Sequence, residues 1–191
     1  RIVVMAGSRR REALSRRVAA ACVRALEAAG AEVERVELDD YPAPLYDGDL
    51  EADSGLPEAI VRLQRVLHAS DGVLVVNPEY NGSLTPLLKN TLDWCSRPNP
   101  ADPERSGGKV YAGRAAAAVG SSPGALGGMR VLFHVRDVLG YLGMQVIPQQ
   151  RAVGKAGEAV GDDDRLRDAA QQEMLDKLAA ALVDTARRLR A

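Results

Sequence analysis

Short apolar runs alternate with longer stretches of helical periodicity along this chain, and that alternation constrains its fold more than any other feature. Ile2–Ala6 is an unbroken apolar run ending at Gly7, and Val73-Leu74-Val75-Val76 inside residues 72–76 is a second. Uninterrupted runs of this length suit strands buried on both faces, as parallel strands usually are. Residues 32–38 alternate imperfectly through Val33, Val36 and Leu38, which predicts a strand near a sheet edge. Residues 109–119 and 144–147 complete a set of five, the former weak in β-propensity because of its alanines. Between the runs, residues 12–29 repeat Leu14, Val18, Ala21, Cys22, Leu26 and Ala29 at helical spacing until Gly30 supplies a stop. Pro57 opens a helix whose buried stripe is Ile60, Leu63 and Leu67. Further helices are predicted over residues 85–96 and 126–142. A last one is predicted to start near Asp162-Asp163-Asp164, with Leu166, Ala170, Met174, Leu178, Leu182 and Leu189 on its apolar face. Residues 39–54, and the stretch holding Pro98, Pro100, Pro103 and Gly107-Gly108, read as loops.

Strand–helix alternation of this kind predicts right-handed β-α-β crossovers and a parallel sheet covered on both sides. The 191 residues hold no repeat and no dividing linker, so residues 1–191 are expected to form one three-layer α/β domain. With 46% hydrophobic and 27% charged residues the composition is that of a soluble globular protein. Twenty-five basic residues against 26 acidic ones give a net charge of −1, no basis for a nucleic-acid or membrane partner. No apolar stretch approaches the roughly 20 residues that span a bilayer. Residues 1–6 read as a strand and not as a signal peptide, so a cytoplasmic location is expected. The first residue is Arg and not Met, so a few upstream residues are expected to be missing. Cys22 and Cys95 have no metal-ligand or redox spacing and read as packing thiols.

In an open parallel sheet, ligands bind beyond the carboxyl ends of the strands, where the strand order reverses. The loops after the first, third and fourth strands are therefore the candidates. The first, Gly7-Ser8-Arg9-Arg10-Arg11 running on to Ser15, Arg16 and Arg17, combines a tight turn, hydroxyls and arginines at a helix N-terminus. Such a loop binds anions. It lacks the Gly-Lys-Ser/Thr ending of a nucleotide P-loop and the three-glycine dinucleotide fingerprint, which favours a monophosphate. A solvated arginine face is the competing reading. The second loop, Asn77-Pro78-Glu79-Tyr80-Asn81-Gly82-Ser83, offers amides for the edge of a heteroaromatic ring and Tyr80 for stacking, or else simply caps a helix. The third, Ser121-Ser122-Pro123-Gly124-Ala125-Leu126-Gly127-Gly128, has small residues that leave space above a ring, or is a routine turn.

Gly7-Ser8-x-Arg10 with Ser15 resembles the phosphate loop of the NADPH-dependent FMN reductases. Pro78-Glu79-Tyr80-Asn81-Gly82-Ser83, followed by Leu88-Lys89-Asn90-x-Leu92-Asp93-Trp94-x-Ser96-Arg97-Pro98, is similar to that family's signature. Tyr46-Asp47-Gly48-Asp49 and Gly124-Ala125-Leu126-Gly127-Gly128 match as well. The resemblance implies a flavodoxin-like three-layer sandwich with a five-stranded parallel sheet in the order 2-1-3-4-5. It implies FMN as cofactor, NADPH or NADH as reductant, and a small acceptor such as a quinone, flavin, chromate or azo compound. Ser8, Arg10 and Ser15 would contact the FMN phosphate. Pro78, Glu79, Tyr80, Asn81, Gly82 and Ser83 would line the isoalloxazine and ribityl chain, and Ser122 with Gly124 would complete the pocket. A homodimer or homotetramer is implied, and no metal.

Two positions depart from the family pattern: Ala13 replaces the usual serine and Ser15 the usual asparagine. Each substitution weakens a hydrogen bond worth about 1–3 kcal/mol, unless Arg9, Arg11 or Arg16 compensates. No catalytic side chain is expected, because the hydride chemistry belongs to flavin N5 in a ping-pong cycle. His68 and His134 lie in helical patterns and read as surface or packing residues. The alternatives are a non-catalytic flavodoxin-like electron carrier and a degenerate member that binds FMN weakly.

Overall fold

The computed structural model describes residues 1–190. The elements run β1 (Ile2–Ala6), α1 (Leu14–Ala28), β2 (Val33–Val36), α2 (Gly48–Ser54), α3 (Glu58–His68), β3 (Gly72–Pro78), α4 (Pro86–Cys95), β4 (Ala115–Ser121), α5 (Met129–Tyr141), β5 (Gln145–Val153), α6 (Ala156–Ala159) and α7 (Ala169–Arg190). All strand pairs are parallel, in the order β2-β1-β3-β4-β5. The expected fold class and order are observed.

Helices cover both faces, and the period-two alternation of strands explains how. Ile2, Val4 and Ala6 of β1, Leu74 and Val76 of β3, and Ala115, Ala117 and Val119 of β4 pack against α1 and α7. Val3 and Met5, Val73 and Val75, and Ala116 and Ala118 face α3, α4 and α5. Residues Ala115–Ser121 are buried throughout, so full burial at the centre of the sheet overrides the poor β-propensity of their alanines.

Four boundaries differ from the sequence reading. The fourth strand begins at Ala115 and not at residue 109, because Gly107–Val110 forms a 3₁₀ turn. Arg114 then ties the strand entrance down, donating to the carbonyls of Ser70, Lys109, Ala112 and His68. The fifth strand runs on to Val153 across a register shift: Ala116 pairs with Val146, but Ala118 pairs with Gln150. Pro148 sits in that shift, where its missing N–H costs no ladder bond. The stretch 39–54 is not all loop. Asp47 accepts from the N–H groups of Asp49 (2.8 Å) and Leu50 (3.4 Å) and so caps α2. The last helix starts at Ala169, not near Asp162, and Asp168 accepts from Gln171 N–H at 2.8 Å. Its buried face is Leu175, Leu178, Ala179, Leu182, Val183 and Ala186, leaving Met174 and Leu189 exposed.

Candidate functional site

The loops leaving β1, β3 and β4 converge at the carboxyl edge of the sheet around a cavity of about 300 Å³. The first loop contributes Ser8, Arg10, Ala13, Leu14 and Ser15, the second Pro78, Glu79 and Tyr80, and the third Ser121, Ser122 and Pro123. Seven of the eleven residues singled out in the sequence therefore line one cavity. The other four do not. Asn81, Gly82 and Ser83 project past it in a turn, and Gly124 lies on the outer side of the third loop, its carbonyl accepting from Gly127 and Lys155 N–H.

What holds the loops in register is a buried polar knot that sequence reasoning did not find. The Thr85 hydroxyl donates to the Gly7 carbonyl at 2.7 Å and accepts from Leu88 N–H at 3.2 Å, capping α4. It also lies 3.2 Å from Asn77 Oδ1, and the Asn77 amide donates to the Pro78 carbonyl at 2.8 Å. Gly7 is obligatory in this knot, because a Cβ there would lie 1.9 Å from Asn77 Oδ1. The signals were present as a Thr-Pro helix start and a fully apolar strand that ends in Asn, but nothing in the sequence joins them.

The second loop is a two-residue hairpin turn. Tyr80 and Ser83 exchange both backbone hydrogen bonds, at 3.1 and 3.0 Å, and Asn81 and Gly82 both have positive φ, 51° and 81°. Asn-Gly is the sequence preferred for this turn. Tyr80 is left half-exposed at the rim, and the Ser83 hydroxyl is 2.8 Å from His134 Nδ1 on α5.

Glu79 is held more firmly than a ring contact requires. Its Oε1 accepts from the Arg130 guanidinium at 2.7 Å and its Oε2 from Arg130 N–H at 3.1 Å. The carboxylate thereby caps α5, whose N-cap, Gly128, brings no side chain. Burial pushes the Glu79 pKa up, but the hydrogen bonds and charge of Arg130 outweigh it and hold the carboxyl below the usual range. The site wall thus runs from Glu79 into α5, and Arg130 is a residue the sequence reading missed.

The arginines divide by partner. Arg9 and Arg16 pair with Asp39 at 2.8 and 2.5 Å, and Arg16 also with Glu37 at 3.0 Å. The hydrogen bond from Arg9, with Arg16 adding to it against the effect of burial, holds Asp39 below the usual carboxylate range. Arg17 donates to the Gly157 and Val160 carbonyls. Arg10 lines the cavity; its guanidinium donates to the Glu12 carbonyl at 3.0 Å and has no acidic partner among the described residues. Arg9 and Arg16 are thus engaged by the acidic exit of β2, and Arg10 is the member of the cluster that lines the cavity.

Two hydroxyls on the cavity wall, Ser15 Oγ and Ser121 Oγ, are buried without a hydrogen-bond partner. Such orphans are rare in a folded interior. Ala13 at the N-cap of α1 makes no side-chain cap bond, and Ala13, Leu14 and Ser15 at this helix start all line the cavity. Orphaned hydroxyls, an uncapped helix start and one free arginine form a donor set suited to a phosphate group. The residues present fit FMN in that respect. Neither thiol lines the cavity; both are fully buried, and burial pushes each up to about 12.

A doubly wound parallel sheet with an anion-ready cradle at its switch point defines a flavodoxin-like protein. Residues 1–158 match the family described as NADPH-dependent FMN reductase, and the chain belongs to that family of oxidoreductases. It is 35% identical to a quinone reductase of Pseudomonas putida over 94% of this chain and 92% of that one. It is 32% identical to a 2-hydroxy-1,4-benzoquinone reductase of a Burkholderia species, over 96% and 97% of the two chains. Among solved structures, the flavoenzyme NAD(P)H:(acceptor) oxidoreductase FerB of Paracoccus denitrificans superposes with a TM-score of 0.81 at 28% identity, covering 98% and 97%.

Proposed function

We propose that the chain is an FMN-dependent NAD(P)H oxidoreductase that reduces a small acceptor of the quinone type. The observation that carries this reading is the donor set around the cavity: orphaned Ser15 and Ser121 hydroxyls beside Arg10 and the uncapped start of α1. Held in this cavity, FMN would supply the hydride and electron-transfer chemistry between NAD(P)H and the acceptor, the two substrates taking turns. The chain's own residues position and shield. Ser8, Arg10 and Ser15 hold the phosphate. Pro78, Glu79 and Tyr80 wall the ring on one side and Ser122 on the other, while the Asn81-Gly82 turn, Ser83 and Gly124 shape the loops that carry them. The Glu79–Arg130 pair keeps that wall rigid.

The test is an FMN titration followed by NADPH oxidation with a soluble quinone. Saturable binding with quinone-dependent turnover is expected. A holoprotein whose flavin stays oxidised under NADPH would refute the reductase reading.

The chain is also inferred to act as a homodimer through α5. Leu126, Met129, Phe133 and Tyr141 are exposed along one face of this helix and the turn before it, with Asp137 between the last two, a grouping of exposed apolar residues of the kind that marks an interface. The grouping is self-complementary. In an antiparallel pairing centred between Phe133 and His134, Arg130 of one copy faces Asp137 of the other and Leu126 faces Tyr141. A two-fold contact requires that reciprocity. The Glu79–Arg130 pair would carry the interface into the site wall.

A further inference from the structure

We propose that a second cavity, on the outer side of the β4 exit loop, takes the 2′-phosphoadenosine end of NADPH, with Lys155 and Arg167 as the cations that meet its 2′-phosphate. The inference rests on the reading above that the protein uses a nicotinamide dinucleotide. This cavity measures about 390 Å³ and lies beyond the carboxyl end of β5, between α6 and the start of α7. That is again the edge of a parallel sheet where ligands collect, and the volume falls in the range of small-molecule sites. Ala152, Ala159 and Leu166 contribute apolar surface to its lining. Such a surface suits the face of a purine.

The cavity's rim carries Lys155, Glu158, Arg167 and Asp168. Asp168 is engaged at the first turn of α7, through Gln171 N–H. Lys155 and Arg167 carry no ion pair among the described residues, unlike the paired Arg9 and Arg16 nearby. A phosphate bearing about two negative charges is the ligand group that two free cations beside an apolar lining would select.

Two further observations point the same way. A shallow groove of about 340 Å³ shares Leu14 and Pro123 with the FMN-type cavity and Lys155 and Glu158 with the second one. One elongated ligand can therefore lie across both. Lys155 also holds a left-handed backbone conformation, φ 46° and ψ 39°. Of the three non-glycine residues with positive φ among the described residues, Asn81 and Asp164 are types that tolerate it, and Lys155 is the exception. Strain of this kind persists where surrounding structure fixes it, often at binding sites. Here the backbone bond from Lys155 N–H to the Gly124 carbonyl, at 3.1 Å, fixes the residue beside the groove.

The experiment is a calorimetric titration of the FMN-loaded protein with adenosine 2′,5′-bisphosphate, 5′-AMP and inorganic phosphate, for the wild type and for Lys155→Gln/Arg167→Gln. The bisphosphate is expected to bind at least tenfold more tightly than the other two. That advantage should collapse in the double variant while its thermal melt stays in place. Equal binding of the two nucleotides by the wild type, or retention of the bisphosphate within twofold by the variant, overturns the proposal. In steady-state turnover, the NADPH-to-NADH ratio of kcat/KM should fall at least tenfold in the double variant and rise in Glu158→Gln. A parallel change with both reductants overturns it too. Calorimetry needs no turnover, so a protein that binds the bisphosphate through Lys155 and Arg167 yet oxidises neither nucleotide would refute the reductase reading and support this one.

Discussion

Replacing Ser15 by alanine should move the stability of the empty protein and its affinity for FMN in opposite directions. The Ser15 hydroxyl is buried, lines the cavity and has no partner among the described residues. An unsatisfied buried hydroxyl costs about 1–3 kcal/mol, and alanine is also the better helix former in the first turn of α1, by a few tenths of a kcal/mol. Ser15→Ala should therefore stabilise the FMN-free protein by about 1 kcal/mol, or roughly 2–4 °C in Tm for a chain of this size. With FMN bound, the same hydroxyl would donate to a charged phosphate, a bond worth about 1.5–3 kcal/mol. Its loss should raise Kd by about tenfold to a hundredfold. The assay is a pair of thermal melts without FMN and a pair of fluorescence titrations with it. An unchanged Kd would remove Ser15 from the phosphate site. A lower Tm without FMN would mean that the hydroxyl has a structural partner, and the argument from the orphaned atom would fail.

Thr85→Val deletes the hydroxyl that joins Gly7 to α4, and should cost about 2–4 kcal/mol from the lost cap and the orphaned carbonyl; a urea-melt difference under 1 kcal/mol would refute the knot. Glu79 has a lowered folded pKa, so the stability it provides is fully present above the unfolded carboxylate value and is lost as pH falls through the folded one. Chemical denaturation from pH 7 to pH 3 should show that loss in the wild type and a flatter profile in Glu79→Gln; identical slopes would mean that the Arg130 pair adds nothing. Phe133→Glu, at the centre of the exposed α5 grouping, should convert a dimer to a monomer in sedimentation at micromolar concentration without lowering Tm by more than a few degrees; an unshifted mass would place the interface elsewhere.

The fold was legible because its signal is redundant. Val73–Val76 and Ile2–Ala6 are short unbroken apolar runs that suit buried strands, and the stops at Gly30 and Pro57 separate the helices around them. The errors fell where one local signal has two meanings. Asp47-Gly48 reads as a turn but is an N-cap followed by a helix, and Asp162-Asp163-Asp164 reads as a helix start although Asp168 makes the actual cap. Pro148 hid the second half of β5, because a proline argues against a strand unless a register shift accommodates it.

The long motif through Asn90, Trp94 and Arg97 shows why a recognisable signature need not be a contact list. Asn90 accepts from Tyr46 N–H at 2.7 Å and donates to the Pro44 carbonyl at 2.8 Å, and the Trp94 indole donates to that same carbonyl at 2.8 Å. Arg97 clasps Glu51 at 2.8 and 2.9 Å, while the Tyr46 hydroxyl donates to Glu51 at 2.8 Å and its ring packs edge-on against Trp94. None of these residues lines the cavity. They pin the segment after β2 onto α4, the helix whose cap, Thr85, fixes the Gly7 and Asn77 loops. Glu79 serves both ends: it lines the cavity and also caps α5 through Arg130. A motif preserves whatever a site needs to keep its shape, and here much of that lies one layer behind the cavity wall.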